Sequence, residues 1–60
     1  MCEFNVLLKG EIVFRDAIYA KVDGNKVIFK DVLGVSKVFG DCKIVEVDVR
    51  SERLVLASSS

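Results

Sequence analysis

IYAKVDGNKVIFK, residues 18–30, is the stretch on which the fold turns. Ile18, Ala20 and Val22 point one way and Tyr19 and Lys21 the other, the period-two alternation of a half-buried strand. Asp23-Gly24-Asn25 then offers residues that tolerate positive φ, the clearest hairpin signal in the chain. Beyond it Val27 and Phe29 alternate with Lys26, Ile28 and Lys30, so a second strand runs back along the first.

The same grammar extends in both directions. Toward the N-terminus, Ile12 and Phe14 begin a short strand that pauses at Arg15-Asp16, and Lys9-Gly10 reads as a turn. Before it, Cys2, Phe4, Val6 and Leu8 alternate with Glu3, Asn5 and Lys9, with Leu7 breaking the pattern where both faces of a strand could be covered. Toward the C-terminus, Asp31-Val32-Leu33-Gly34 makes a tight connection in which Gly34 is free to turn left-handed. Val35 to Phe39 forms another short strand, closed by Gly40-Asp41. In Cys42 to Val49, Ile44 is out of phase with Val45, Val47 and Val49, which predicts either early burial on both faces or a β-bulge near Ile44. Arg50-Ser51-Glu52-Arg53 turns the chain into a last strand at Leu54-Val55-Leu56, and Ala57 to Ser60 is predicted to fray.

The chain has no Pro, and its one turn-free stretch, Ile44 to Val49, is dominated by β-branched residues, so helix has little support. Six or seven short antiparallel strands in so few residues cannot form an ordinary two-layer sandwich. A short, strongly twisted sheet curls on itself, which predicts an all-β fold: a small SH3-like or Sm-like half-open barrel. Residues 1–57 are expected to form this single domain, with 58–60 a frayed tail.

A chain of 60 residues is too short to bury much of itself; only about 60% of the surface exposed on unfolding is covered at this size. Such folds usually rely on a staple, a metal or a partner subunit. The apolar fraction of 52% is high for so small a body, and the surplus predicts a homodimer. Cys2 and Cys42 are too few for a secreted disulfide framework. With no signal peptide and no apolar run near about 18 residues, the expectation is a soluble cytoplasmic protein that does not enter a membrane. Nine basic residues balance nine acidic ones, singly interspersed, so affinity for nucleic acid is not indicated.

The absence of His removes the commonest general base and metal ligand, together with every Ser-His or Cys-His pair. No C-x-x-C motif is present, and Gly10, Gly24, Gly34 and Gly40 are isolated turn glycines rather than a phosphate cradle. Glu46 and Asp48, at spacing two, read as the wet side of a strand. Together these features argue against an enzyme. Phe4, Phe14, Phe29 and Phe39 fall mostly on the apolar phase of their strands and are assigned to the core, leaving Tyr19 as the one aromatic expected near the surface. Cys42 opens a strand, where it could face Cys2 or be a buried structural thiol; burial is the expected state.

Cys2 carries the most chemistry. In Met1-Cys2 the terminal amine, the Cys2 amide nitrogen and the Cys2 sulfur can close two adjacent five-membered chelate rings on one metal ion. Without Met1, Cys2 alone supplies amine and thiolate. A soft thiolate beside amine or amide nitrogen suits Ni(II) or Cu(II) better than Mg or Ca. The alternative is that Cys2 is an ordinary small apolar strand residue.

The Met1-Cys2 start, the central Asp31-Val32-Leu33-Gly34 followed by Lys37-Val38 and Gly40, then Ile44-Val45-Glu46-Val47-Asp48 and Leu54-Val55-Leu56, resemble the CooT family of small nickel-binding proteins over nearly the whole chain. That resemblance implies association with carbon monoxide dehydrogenase maturation, with a nickel enzyme or its maturation factors as partner. It also implies a homodimer whose two Cys2 residues meet at one Ni(II). Two N,S chelates about a twofold axis would give a four-coordinate N₂S₂ site, coupling metal loading to dimerisation. Cys42 has no counterpart in that role. Members of the family are also described as predicted RNA-binding proteins, and the competing expectation is a non-metal module binding RNA or a protein through strand edges and Tyr19.

Overall fold

The computed structural model describes residues 3–59. Six strands follow one another: β1 (Phe4–Leu8), β2 (Glu11–Asp23), β3 (Lys26–Asp31), β4 (Ser36–Gly40), β5 (Cys42–Asp48) and β6 (Arg53–Ser58). They form one sheet in the order β4-β3-β2-β1-β6-β5, so β4 and β5 are its edges and the barrel is not closed. No helix occurs among the described residues. The fold is the expected small, half-open all-β structure, with six strands.

In one respect the sheet departs from the antiparallel expectation: β1 and β6 run parallel, with Asn5 opposite Arg53 and Leu8 opposite Leu56. The Asn5 amide donates to the Glu52 carbonyl at 2.9 Å, holding the start of β1 against the turn that precedes β6. Period-two patterning sets the face that a side chain occupies and carries no information about strand direction. Only the four short connections at Lys9-Gly10, 24–25, 32–35 and 49–52 dictate reversal, and each joins sequential neighbours.

The second departure lies at Arg15-Asp16. The expected pause between two strands is a corner within one 13-residue strand. Asp16 takes a positive φ of 59°, and the pairing of β2 shifts register on both sides of it. Ala17 is the pivot, opposite Phe4 of β1 and Asp31 of β3. The first half of β2 thus pairs with β1 and the second half with β3. Bulges of this kind bend a strand and raise its twist, which carries the β2–β3 turn round to the far edge. There the Cys42 amide donates to the Asn25 carbonyl at 3.2 Å, and Asn25 Nδ2 donates to Asp41 Oδ1 at 3.0 Å. Of the two readings open at Ile44, burial on both faces or a bulge, the structure has the bulge, a register shift between Ile44 and Glu46.

Val6, Ala17, Val27, Phe29, Cys42, Leu54 and Leu56 form the buried core. Val27 and Phe29, the inward pair expected from the opening hairpin, are fully buried. Phe14 stacks on Phe29 with ring centroids 5.9 Å apart, and Phe39 meets it edge-on at 5.7 Å. Such pairs contribute about 0.5–1.5 kcal/mol each beyond their buried area. The partner strand behaves differently. Ala20 lies opposite Phe29 and Val22 opposite Val27, yet Ile18, Ala20 and Val22 are all exposed. The pairing of β1 with β2 ends at Phe4–Ala17, so from Ile18 onward no described strand lies along the other edge of β2. At the C-terminus, β6 continues through Ser58, and the Ser59 amide donates to the Asp41 carbonyl at 2.7 Å. Backbone pairing therefore extends into the segment expected to fray.

Candidate functional site

Met1 and Cys2, the expected metal ligands, lie outside the described residues. What the structure fixes is the place they join. The chain enters β1 at Phe4, directly opposite the Ala17 pivot. Phe4, Ala17, Ile18, Phe29, Val47 and Leu54 help wall an open, mostly apolar depression of about 140 Å³. Cys2 is therefore two residues along the chain from a wall of this opening.

Cys42 is placed elsewhere. It is a free thiol, 7% exposed, packed in the core and paired with Ser58 at the end of β6. The start of β1 lies beside Arg53, at the other end of β6. From Arg53 to Ser58, at about 3.3 Å per residue, is roughly 16 Å. Cys42 is the buried structural thiol that its strand position predicted. Among the described residues no three His, Cys, Asp or Glu side chains gather as a metal-holding group.

The carboxylate pair Glu46 and Asp48 has a structural occupation. Arg53 Nη2 lies 3.1 Å from Glu46 Oε1 and 4.0 Å from Asp48 Oδ2. Asp48 Oδ1 also accepts from the Arg50 amide at 3.1 Å and the Ser51 amide at 3.3 Å, which ties down the turn before β6. Hydrogen bonds from Ser51, backbone first and then side chain, hold the Asp48 carboxyl below its ordinary value, with Arg53 adding a smaller effect. This is an ionised turn-capping carboxylate on a wet surface. Tyr19 is exposed as expected, and its ring faces the Lys30 ammonium 4.9 Å from the centroid.

One feature went unread in the sequence. Residues 31–35 hold Val32, Leu33 and Val35 in solvent, with Leu33 84% exposed. Asp31 organises the loop: its Oδ1 accepts from the Leu33 and Val35 amides, both at 2.9 Å. The Asp31 amide donates to Val35 O at 2.9 Å, and Asp31 O accepts from the Gly34 amide at 3.0 Å. Gly34 takes φ +87°, the left-handed conformation anticipated for it. The Val32 amide then donates to Asp16 O at 3.1 Å, anchoring the loop to the β2 corner. Three apolar residues clustered in a turn were the available signal, since turns usually carry polar groups.

These features define a small, half-open β-barrel with one apolar side beside its N-terminal strand. The chain belongs to the CooT family, that of the CO dehydrogenase accessory protein CooT, whose family model matches residues 1–57. The match covers Met1-Cys2 and all six strands except the last residue of β6. Comparison with curated proteins finds no match. The family is one of accessory proteins to CO dehydrogenase, not a catalytic one.

Proposed function

We propose that this protein binds Ni(II) through the Cys2 thiolate and the adjoining N-terminal amine, at Met1 when that residue is retained. One ion is shared by the two chains of a homodimer. Its role is CO dehydrogenase maturation or nickel handling in the cytoplasm, with a nickel enzyme or its maturation factors as partner. The observation that carries this reading is membership of a CO dehydrogenase accessory family through a match that begins at Met1-Cys2. CO dehydrogenase is a nickel enzyme, so an accessory protein with an N,S donor pair has an evident cargo. Thiolate with amine or amide nitrogen is a donor set suited to Ni(II), and two such pairs about a twofold axis complete four coordination. The competition between Cys2 as ligand and Cys42 as ligand is also unequal. Cys42 is enclosed by core side chains and would have to leave them to reach a metal shared between chains.

Titrating the reduced protein with Ni(II) tests this reading against a Cys2→Ser variant. One ion per two chains is expected for the parent, with thiolate-to-nickel absorption in the near ultraviolet, and neither for the variant. Undiminished binding by Cys2→Ser would overturn it.

A further inference from the structure

The two edges of the sheet are not equally guarded. The ladder of β5 is broken by the register shift between Ile44 and Glu46, the strand carries Lys43, Glu46 and Asp48, and the Cys42 amide at its start is already bonded to the Asn25 carbonyl. Bulges, charges and local cover are the means by which an edge strand is kept from pairing. β4 has little of this. Its register with β3 runs unbroken from Lys26–Gly40 to Lys30–Ser36, and Lys37 is its one charge.

The ladder also fixes which backbone groups of β4 are free. The bond from the Asp31 amide to Val35 O makes 31 and 35 a hydrogen-bonded pair, and bonded and non-bonded pairs alternate along antiparallel strands. Lys37 and Phe39 therefore turn their N–H and C=O groups to Phe29 and Val27 of β3, while those of Ser36, Val38 and Gly40 point away from it. No described strand lies beyond β4. Outward amides and carbonyls at every second residue are the template for strand addition, in which the main chain supplies affinity and alternate side chains supply specificity.

The side chains beside this edge specify the strand that fits. Val27 and Phe29 face the core, so Lys26, Ile28 and Lys30 lie on the outer face, opposite Gly40, Val38 and Ser36. An added residue opposite Val38, which is 54% exposed, continues the apolar row of Ile28 and Val38. Residues opposite Gly40 and Ser36 meet almost no side chain on β4, and beyond those small positions stand the two exposed lysines. A strand added to β4 lies roughly 10 Å from β3, two strand spacings, which lysine and glutamate side chains reaching toward each other can bridge. The Lys30 ammonium rests 4.9 Å from the Tyr19 ring centroid, a weak contact at an exposed site, and can leave it. On the other face, half-buried Phe39 calls for an apolar neighbour and Lys37 for a polar one.

We propose that the free edge of β4 binds an extended segment of a partner protein by antiparallel strand addition. The segment carries two adjacent apolar residues opposite Phe39 and Val38, with carboxylates outside them set toward Lys26 and Lys30. This interaction surface does not depend on the nickel reading.

The probe is the capped peptide Ser-Glu-Ile-Val-Thr-Glu-Ser, followed through the amide NMR signals of the full, reduced, isotope-labelled chain. Without peptide, the amides of Ser36, Val38 and Gly40 should exchange quickly with water and those of Lys37 and Phe39 slowly. Peptide should shift the first three most, and saturably. A peptide with lysines in place of both glutamates should bind at least about tenfold more weakly. Val38→Pro removes an outward N–H and no bond to β3, so it should abolish binding while circular dichroism stays that of the parent. Lys26→Glu, an exposed change that leaves the backbone alone, should weaken binding by about fivefold. No shift at about 1 mM peptide, equal binding of the lysine peptide, or undiminished binding by a folded Val38→Pro chain or by Lys26→Glu would each overturn the proposal. So would slow exchange of Ser36, Val38 and Gly40 in the peptide-free chain, because a second copy would then already cover the edge.

Discussion

The turns at the two ends of β3 are held by polar groups in two different ways. At its start, the Asp23-Gly24-Asn25 turn is polar, and Asn25 reaches across to Asp41 and to the Cys42 amide, fastening the hairpin to the far side of the barrel. At its end, the Asp31 carboxylate instead accepts from the Leu33 and Val35 amides, so its bonds stay within the loop and hold Val32, Leu33 and Val35 outward. A polar residue in a turn can therefore close a fold on itself or keep part of it open to solvent. Which it does depends on whether its partners lie in another strand or in its own loop.

The largest effect should come from the strand between these ends. Phe29 is fully buried and joins Phe14 and Phe39, so Phe29→Ala should cost about 3–5 kcal/mol of folding stability. In so small a domain that loss should appear as unfolding in mild denaturant at room temperature. Retention of a parent-like melting curve would mean that the aromatic cluster is not the centre of the core.

The comparison of the two turns is sharper with polar substitutions. Asp31→Ala removes the acceptor of two amide bonds and should destabilise by about 1–2 kcal/mol, whereas Asp31→Asn keeps an oxygen there and should recover much of the loss. Asn25→Ala removes one exposed bond and should cost about 0.5–1 kcal/mol in chemical denaturation. If Asn25→Ala proved the more damaging, the polar turn rather than the apolar loop would be the tightly determined end of β3.

The smallest effect concerns Asp48. Its folded carboxyl lies below the ordinary aspartate value near 3.8, so the stabilisation from its ionised form is present above that value. It is lost as pH falls through the lower, folded value. Asp48→Asn should therefore be slightly less stable than the parent near neutrality, and the two denaturation curves should converge in acid. Curves that separate further as pH falls would have the opposite sign. Because the group is on the surface, the difference should also shrink in high salt.

Much of the barrel was legible along the chain because its physics is local. The inward positions of Val27 and Phe29, the left-handed Gly34, the bulge after Ile44 and the burial of Cys42 all follow from alternation and turn chemistry. The parallel β1–β6 pair did not, since alternation is blind to direction. Nor did the continuity of β2, because Asp16 at positive φ resembles a turn residue whether the chain stops or bends there. Ile18 and Val22 show a further limit: pattern assigns a side chain to a face, while its cover depends on where a neighbouring strand ends. The metal chemistry proposed for Cys2 rests on its place beside the amine in the sequence, and the apolar loop was missed because a turn signal at Gly34 masked the side chains around it.

In the proposed site the N-terminal amine and Cys2 act together on nickel. Ni(II) affinity of the reduced chain, with and without residues added ahead of Met1, reads that cooperation. A thiol of reference pKa about 8.5 and an amine near about 7.7–8.0 must both lose protons, so affinity should rise steeply between about pH 6 and 8. The extension should weaken binding strongly even with Cys2 intact. Equal affinity in the extended and native chains would show that the amine is not a ligand.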